Sequence, residues 1–555
     1  MNKKLIYSLI AGTMFTLTSC DDFLDVQPAS GFTPEYIFSS ESEMKALMTR
    51  IYSSMTEDGL YGSNLASGLN TNTDVEMSSF KNNTVSTNGS DIGCFDSRPT
   101  WSVLNATWNN IYYAINYAND FLQAVQESPL FSDKVTGDTP SETQQMYGEV
   151  KTLRAMLYLD LIRTWGDVVF IIKPTEATDD FFSLGTTDRN VILEYLIDDL
   201  IAVEPMMKYA VDLDYGVERA SREYCQSLIG QLALYRGGWT LRADKEDVTH
   251  VGYMERGDNF EHYYEIAITY LGKVIKESKH DLTQSFENLW VNECNWKTAN
   301  NDDVMFAVPM LKSVTSRYGY NIGVTIAEGK HSYGSARNYV TFCGTYVYSF
   351  DKDDLRRDMT CVPYKYDKDL NQEIDMGVTG MGVGKWSKLY MQSPLGTSSG
   401  TNTGVNNVRM RFADVLLMYA EVENVLKDDG QARWALNKVR ERVDLDPVES
   451  SGTELRDAIR QERRLELALE NQRLFDIRRW KNDSGKSVMS DIMGPNGSFV
   501  IYNTKESTDT YELGNQKESS SKGRNFKEER DLVYPIPTTE ISQSNGSIVQ
   551  NPGYN

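Results

Sequence analysis

The sequence predicts a mostly α-helical protein of tetratricopeptide-like helical hairpins, interrupted by an irregular, loop-rich insert with a few short strands. Three observations carry this reading. Apolar residues recur at three- and four-residue intervals over most of the chain, the period of one helix face. These periodic runs succeed one another across short breaks, as antiparallel helical hairpins do. Between Phe286 and about Val408 the helical period gives way to Gly, Asn, Ser and Tyr. Hydrophobic residues make up 40% of the chain, enough to build a large core and to argue against disorder.

The first residues read as an address. Lys3 and Lys4 precede an uncharged run from Leu5 to Thr18, too short to span a bilayer but suited to a secretory signal. It ends at Leu17-Thr18-Ser19-Cys20, which resembles the bacterial lipobox, in which cleavage before the cysteine is followed by attachment of acyl chains such as palmitate. Residues 1–19 are thus expected to be a lipoprotein signal peptide and Cys20 the lipid anchor. The Asp21-Asp22-Phe23-Leu24-Asp25 segment would be a short acidic tether.

Helices are predicted from Glu41 to Met55, Trp101 to Val125, Tyr147 to Trp165, Asp188 to Met206, Ala220 to Arg242 and Asn259 to Glu277. Between the first two, Gly59 to Pro99 is rich in Gly, Ser, Asn and Thr and carries Tyr61, Phe80 and Phe95. This mixture suits a loop that displays aromatics for binding. Val168 to Ile172 reads as a short extended piece. In the insert, Val304 to Met310 and Tyr346 to Phe350 read as strands. Helical period returns at Arg411 to Lys427, breaks at Asp428-Asp429-Gly430, and resumes through Ala432, Ala435, Leu436 and Val439. A third helix follows, with Ser451 or Thr453 at its start and Leu455, Ile459 and Leu465 on its apolar stripe. Lys481 to Lys522 is polar and loop-like, and Leu532 to Pro537 reads as a terminal segment that docks back on the helices. The expected organisation is one domain over 20–555, with a helical scaffold at about 35–285 and 409–555 and the insert at about 286–408.

Charge and cysteine usage exclude several classes. Lys plus Arg number 56 against 79 for Asp plus Glu, so the net charge is −23, which repels phosphate backbones and argues against nucleic acid. Beyond Cys20, the cysteines Cys94, Cys225, Cys294, Cys343 and Cys361 are odd in number and scattered, which suggests buried thiols with at most one or two disulfides. No C-x-x-C occurs, and the four histidines lack metal-ligand spacing.

No enzymatic constellation stands out. Glu462, Glu466 and Glu470 lie four residues apart among Arg463, Arg464 and Arg473. They read as a structural ion-pair network, since glycosidase carboxylates face each other across a cleft. Gly380 to Lys385 hints at a phosphate loop, but Thr379 and Trp386 occupy positions where that motif needs other residues. Asp367, Asp369, Asn371, Glu373 and Asp375 alternate like calcium ligands. Gln372 and Val378 stand where an EF-hand needs Gly and Glu, so a structural calcium is unsupported and no cofactor is expected.

Saccharide recognition needs flat aromatic faces for the C–H surfaces of sugar rings, with amides, carboxylates or Arg for the hydroxyls. The insert offers that mixture: Tyr318, Tyr320, Tyr333 and Tyr339 lie among Arg317, Asn321, Arg337 and Asn338, with Trp296 just upstream. Trp108, Tyr112 and Trp239, at helical spacing, read as core.

Motifs at both ends converge on one family. Cys20 to Asp25, Arg411 to Glu421, Ala435 to Arg442, Glu462 to Leu467, Arg473 to Trp480, Tyr534 to Pro537 and Gln550 to Tyr554 together resemble the SusD/RagB family of nutrient-binding surface lipoproteins of Bacteroidetes. The resemblance spans essentially the whole chain. It implies a non-enzymatic, lipid-anchored protein on the outer face of the outer membrane, partnered with a SusC-like TonB-dependent transporter and binding an oligosaccharide. It also implies ligand aromatics near the early insertion, where Trp101 with Asn105 is the candidate, and in the insert, where Trp296, Tyr318, Tyr320, Tyr333 and Arg337 are. A RagB-like peptide-binding lid and a scaffold of the transporter complex are the alternatives.

Overall fold

A computed structural model describes residues 38–71, 73–78, 95, 97–137, 139–176, 178–242, 252–374, 381–396, 401–493, 499–501, 517–519 and 526–554. Cys20, the expected anchor, and Asp21 to Asp25, the expected tether, lie outside these residues, as do Phe80 and Cys94.

The first half is a succession of helices: α1 (Glu41–Met55), α2 (Ser102–Glu127), α3 (Glu142–Trp165), α4 (Arg189–Val203), α5 (Arg222–Arg236) and α6 (Phe260–Glu277). Local chemistry sets their ends. Ser141 and Gln144 form a reciprocal capping box at the start of α3, and Gly166, at φ +85°, ends it. A Cβ on Gly166 would stand 2.3 Å from the Arg189 guanidinium, so no larger residue fits. Helix α3 is buried on nearly every side and is the axis of the scaffold. Its polar residues are matched rather than exposed. Arg219 and the Tyr52 hydroxyl both bond to Glu149, while Arg163, Arg409 and the Tyr61 hydroxyl converge on Asp160. Helices α5 and α6 approach closely because a Cβ on Gly230 would already lie 2.6 Å from the Leu271 side chain.

Four sequence expectations need correction here. Lys481 to Lys522, expected to be loop-like, holds a short helix at Val488–Met493 and an antiparallel pairing of Phe499–Ile501 with Lys517–Ser519. The predicted Ala220 to Arg242 helix stops at Arg236, before Gly237-Gly238. Thr240–Arg242 is instead a strand paired antiparallel with Tyr253–Glu255. Phe286–Glu293, assigned to irregular insert, is a helix, α7, capped by Ser285. Tyr346 to Phe350 is not a strand. Tyr346 ends within a helical turn, α8 (Gly344–Val347), where the four-residue spacing sets it edge-on to Phe350 at 4.9 Å.

The insert is entered through strand Val304–Val308 and left through Asn407–Arg411, which pair antiparallel. A second pairing, of Glu76–Ser78 with Val340–Phe342, ties the early loop to it. The insert has its own apolar cluster, in which Trp290, Tyr318 and Trp386 meet edge to face. Within it also lies a short helix, α9 (Arg356–Thr360).

Late helices α10 (Phe412–Val425), α11 (Asp429–Glu441) and α12 (Gly452–Glu466) follow the predicted pattern, and a further short helix, α13 (Arg473–Arg479), comes after them. Ser451 holds the N-cap position of α12, but its hydroxyl does not bond the helix. Asp428 caps α11 by accepting from the Gln431 amide. The C-terminal segment does pack back: the Tyr534 hydroxyl donates to the Leu69 carbonyl at 2.5 Å, and the Trp165 indole donates to that of Pro535 at 3.1 Å.

The ladder of Glu462, Glu466 and Glu470 is structural, as expected, but with different partners. Arg356 bonds Glu462 and Glu466 at 2.5 and 2.9 Å, Arg411 bonds Glu466 and Glu470 at 2.7 and 2.6 Å, and Lys385 bonds Glu470 at 2.6 Å. Arg463 serves Asp414 and Asp476, and Arg464 and Arg473 serve Asp74. Since Arg356 and Lys385 belong to the insert, buried ion pairs fasten it to α12. Lys385, the lysine of the glycine-rich run, is thus committed to structure.

Candidate functional site

The insert presents one cluster whose geometry suits a ligand. The segments 318–322 and 336–339 lie side by side: the Arg337 amide donates to the Tyr320 carbonyl at 2.8 Å, and the Tyr339 amide to that of Asn321 at 2.9 Å. Tyr318 is 3% exposed and edge-on to Trp386 at 4.7 Å, whereas Tyr320, beyond the turn that Gly319 makes at φ +73°, is half-buried. On the neighbouring segment Ala336 is buried, Arg337 is exposed, and Tyr339 is 40% exposed. Arg337 Nη1 lies 3.4 Å from the Tyr339 hydroxyl.

Beneath this surface is a buried cation. Lys388, at the start of the 3-10 turn Lys388–Tyr390, donates from Nζ to the Ser335 carbonyl at 2.7 Å and lies 5.4 Å from the Tyr320 ring centroid. Burial pushes its ammonium down to about 8. Sequence reasoning missed Lys388, because it approaches Tyr320 from a segment nearly seventy residues later. Arg337 and the rings of Tyr320 and Tyr339 share this surface above the buried Lys388 and offer ring faces and guanidinium donors to a polyhydroxylated ligand.

The other predicted residues divide. Tyr333 is half-buried, its ring 6.4 Å from that of His331. It stands four residues before Arg337, on the same loop. Trp296 is half-buried at φ +54°, its indole N–H donating to the Gly404 carbonyl at 2.6 Å and one ring face covered by Lys312 Nζ at 4.2 Å. That face is already taken.

Trp101 and Tyr318 must be corrected. Trp101 is 0% exposed at the N-cap of α2, packed in the helical core, so its ring is closed to a ligand in this conformation. Its neighbour Asn105 accepts from the Thr539 hydroxyl at 2.5 Å and so braces the C-terminal segment. Tyr318 is insert core. The early loop's Tyr61 is likewise buried on Asp160, and Phe95 packs edge-on against Phe526 at 5.2 Å.

In the calcium-like run, Asp367 accepts from the amides of Asp369 and Asn371, while Asp375 lies outside the described residues. Among the described residues, Cys225, Cys294 and Cys361 are buried free thiols, and Cys343 is also buried, its Sγ donating to the Thr73 carbonyl at 3.6 Å. Burial pushes Cys225 and Cys294 up to about 12, which leaves them unreactive at neutral pH.

Known proteins share this architecture. Residues 206–554 match the family model described as the SusD family, and residues 22–200 match one described as starch-binding associating with outer membrane. A SusD-like protein P2 of Formosa agariphila is 24% identical, the alignment covering 98% of each chain. The crystal structure of a SusD homolog from Bacteroides thetaiotaomicron superposes with a TM-score of 0.77 at 22% identity, covering 94% of this chain and 98% of that one. Surface glycan-binding protein A of the same species, in complex with laminarihexaose, gives 0.65 at 17% identity, covering 92% and 99%. With more than half of its length matched by that model and its fold shared end to end, this chain belongs to the SusD family.

Proposed function

We propose that this protein is a non-enzymatic surface lipoprotein, anchored through Cys20 to the outer membrane, that captures an oligosaccharide and passes it to a SusC-like TonB-dependent transporter. The observation that carries the reading is the outward surface of Tyr320, Arg337 and Tyr339 over Lys388, set in a fold shared with a protein solved with laminarihexaose. Tyr320 and Tyr339 supply ring faces, Arg337 supplies planar donors, and Tyr333 extends the surface. Trp296 braces the late part of the insert through the Gly404 carbonyl.

Titration calorimetry of the purified protein against plant and host oligosaccharides tests this. A bound oligosaccharide should lose about tenfold or more in affinity in Y320A or Y339A, equivalent to about 1.4 kcal/mol. Binding of peptides with no binding of any oligosaccharide would replace the reading with that of a peptide-capturing lid.

A further inference from the structure

One cavity is lined by no residue of the insert. About 370 Å³ in volume, it opens between α2, the segment following α3 and the short C-terminal helix Thr538–Gln543. Trp108 and Tyr112, read from the sequence as core, form its floor with ring centroids 5.1 Å apart. Tyr113 and Phe182 stand at its rim, 60% and 55% exposed. Two large rings left so open beside an apolar cavity mark a binding surface more readily than a solvated one.

The polar groups around the cavity fall into two kinds. Some are spent on the fold: the Tyr112 hydroxyl donates to the Val169 carbonyl at 2.8 Å, and the Asn119 amide is used by the carbonyls of Ile171 and Lys173 and by Arg154. Others remain available. The side-chain amides of Asn109 and Gln543 make no hydrogen bond within the described residues, and Asn116, which accepts from Thr175 at 2.9 Å, keeps its amide donors. Glu540 receives the Trp108 indole N–H, and burial pushes its carboxyl upward. No Lys, Arg or His lines the cavity.

We propose that this cavity is a second saccharide site, separate from the insert surface, taking one or two rings of a neutral glycan. Aromatic faces with three amides and one carboxylate match the alternating C–H faces and hydroxyls of a sugar, and the volume lies at the small end of ligand pockets. An anionic sugar would face Glu540 with no cation to answer it. A peptide strand would need an open sheet edge to pair with, and the lining residues lie in helices and connecting segments.

The test uses the purified protein with maltotriose, laminaritriose, xylotriose and mannotriose, read by saturation-transfer NMR and by Trp fluorescence. In the Y320A/R337A background, which removes the insert surface, at least one trisaccharide should still bind, and adding Y113A/F182A should weaken that binding at least tenfold. Both rim residues are exposed, so unchanged circular dichroism should accompany the loss. The site is overturned if no trisaccharide binds Y320A/R337A, if adding Y113A/F182A leaves that binding unchanged, or if Gly-Phe-Gly amide occupies the cavity and the sugars do not. Loss confined to Y320A/R337A would overturn this site while leaving capture at the insert intact.

Discussion

Lys388 has the Ser335 carbonyl as its one hydrogen-bond acceptor among the described residues and no carboxylate beside it. Burial holds its pKa near 8, whereas the unfolded chain titrates near 10.5, so between those values the unfolded state binds more protons. Folding stability therefore rises with pH across that window, and below it the native state carries the full cost of a buried ammonium. Lys388→Met should raise stability at pH 7 by on the order of 1 kcal/mol, with the gain shrinking toward pH 10. Urea denaturation at both pH values measures this; a gain that grows with pH would contradict it. Neighbouring side chains show how far the site was legible. The aromatic-rich segment was visible in the sequence, but Tyr318 and Tyr320 are told apart only by the turn at Gly319, whose φ of +73° breaks the two-residue register that would put both on one face. Trp101 was misread because an aromatic beside a polar loop looks displayed until the helix it caps is packed.

Helix α12 shows both the reach and the limit of periodicity. Its apolar stripe and its carboxylates at four-residue spacing identified a structural helix, yet the partners of those carboxylates come from Arg356, Lys385 and Arg411, distant in sequence. Local spacing suggests pairs along one helix; burial here recruits cations from other elements instead. Short strands were hard to find for the same reason, since Glu76–Ser78 has meaning only beside Val340–Phe342. Removing one member of a buried ion cluster leaves the others uncompensated. Arg411→Met should therefore destabilise the fold by about 3–5 kcal/mol, as Asp303, Glu466 and Glu470 lose a shared cation. Exposed Lys438→Met, which breaks a surface pair with Glu441, should change stability by less than about 0.5 kcal/mol. Denaturation midpoints of the two variants separate the cases; similar losses would show that the cluster is not the fastening proposed.

For the whole molecule, the acidic composition and the distribution of buried carboxyls set a pH profile. Asp160, Asp303, Glu421, Glu466 and Asp476 are all buried, which alone would raise their pKa, but adjacent guanidinium charges outweigh burial and hold them below their usual values. Their stabilisation is present above the unfolded carboxyl pKa and is lost as pH falls through the lowered native values. Glu76 and Glu293 act oppositely. Burial pushes them up to about 8 and about 7, so their protonated forms favour the fold below the unfolded pKa of 4.5, and that contribution fades as pH rises through 7 and 8. The two sets together place maximal stability near about pH 5, with melting temperature falling on both sides. Calorimetric scans from pH 3 to 8 should trace that maximum. In the Glu76→Gln/Glu293→Gln double variant the limb between pH 5 and 8 should flatten while the acid limb stays, because the ion-paired carboxylates are untouched. An unchanged neutral limb in the variant would mean that these two carboxyls are ionised in the native protein and that the slope has another source.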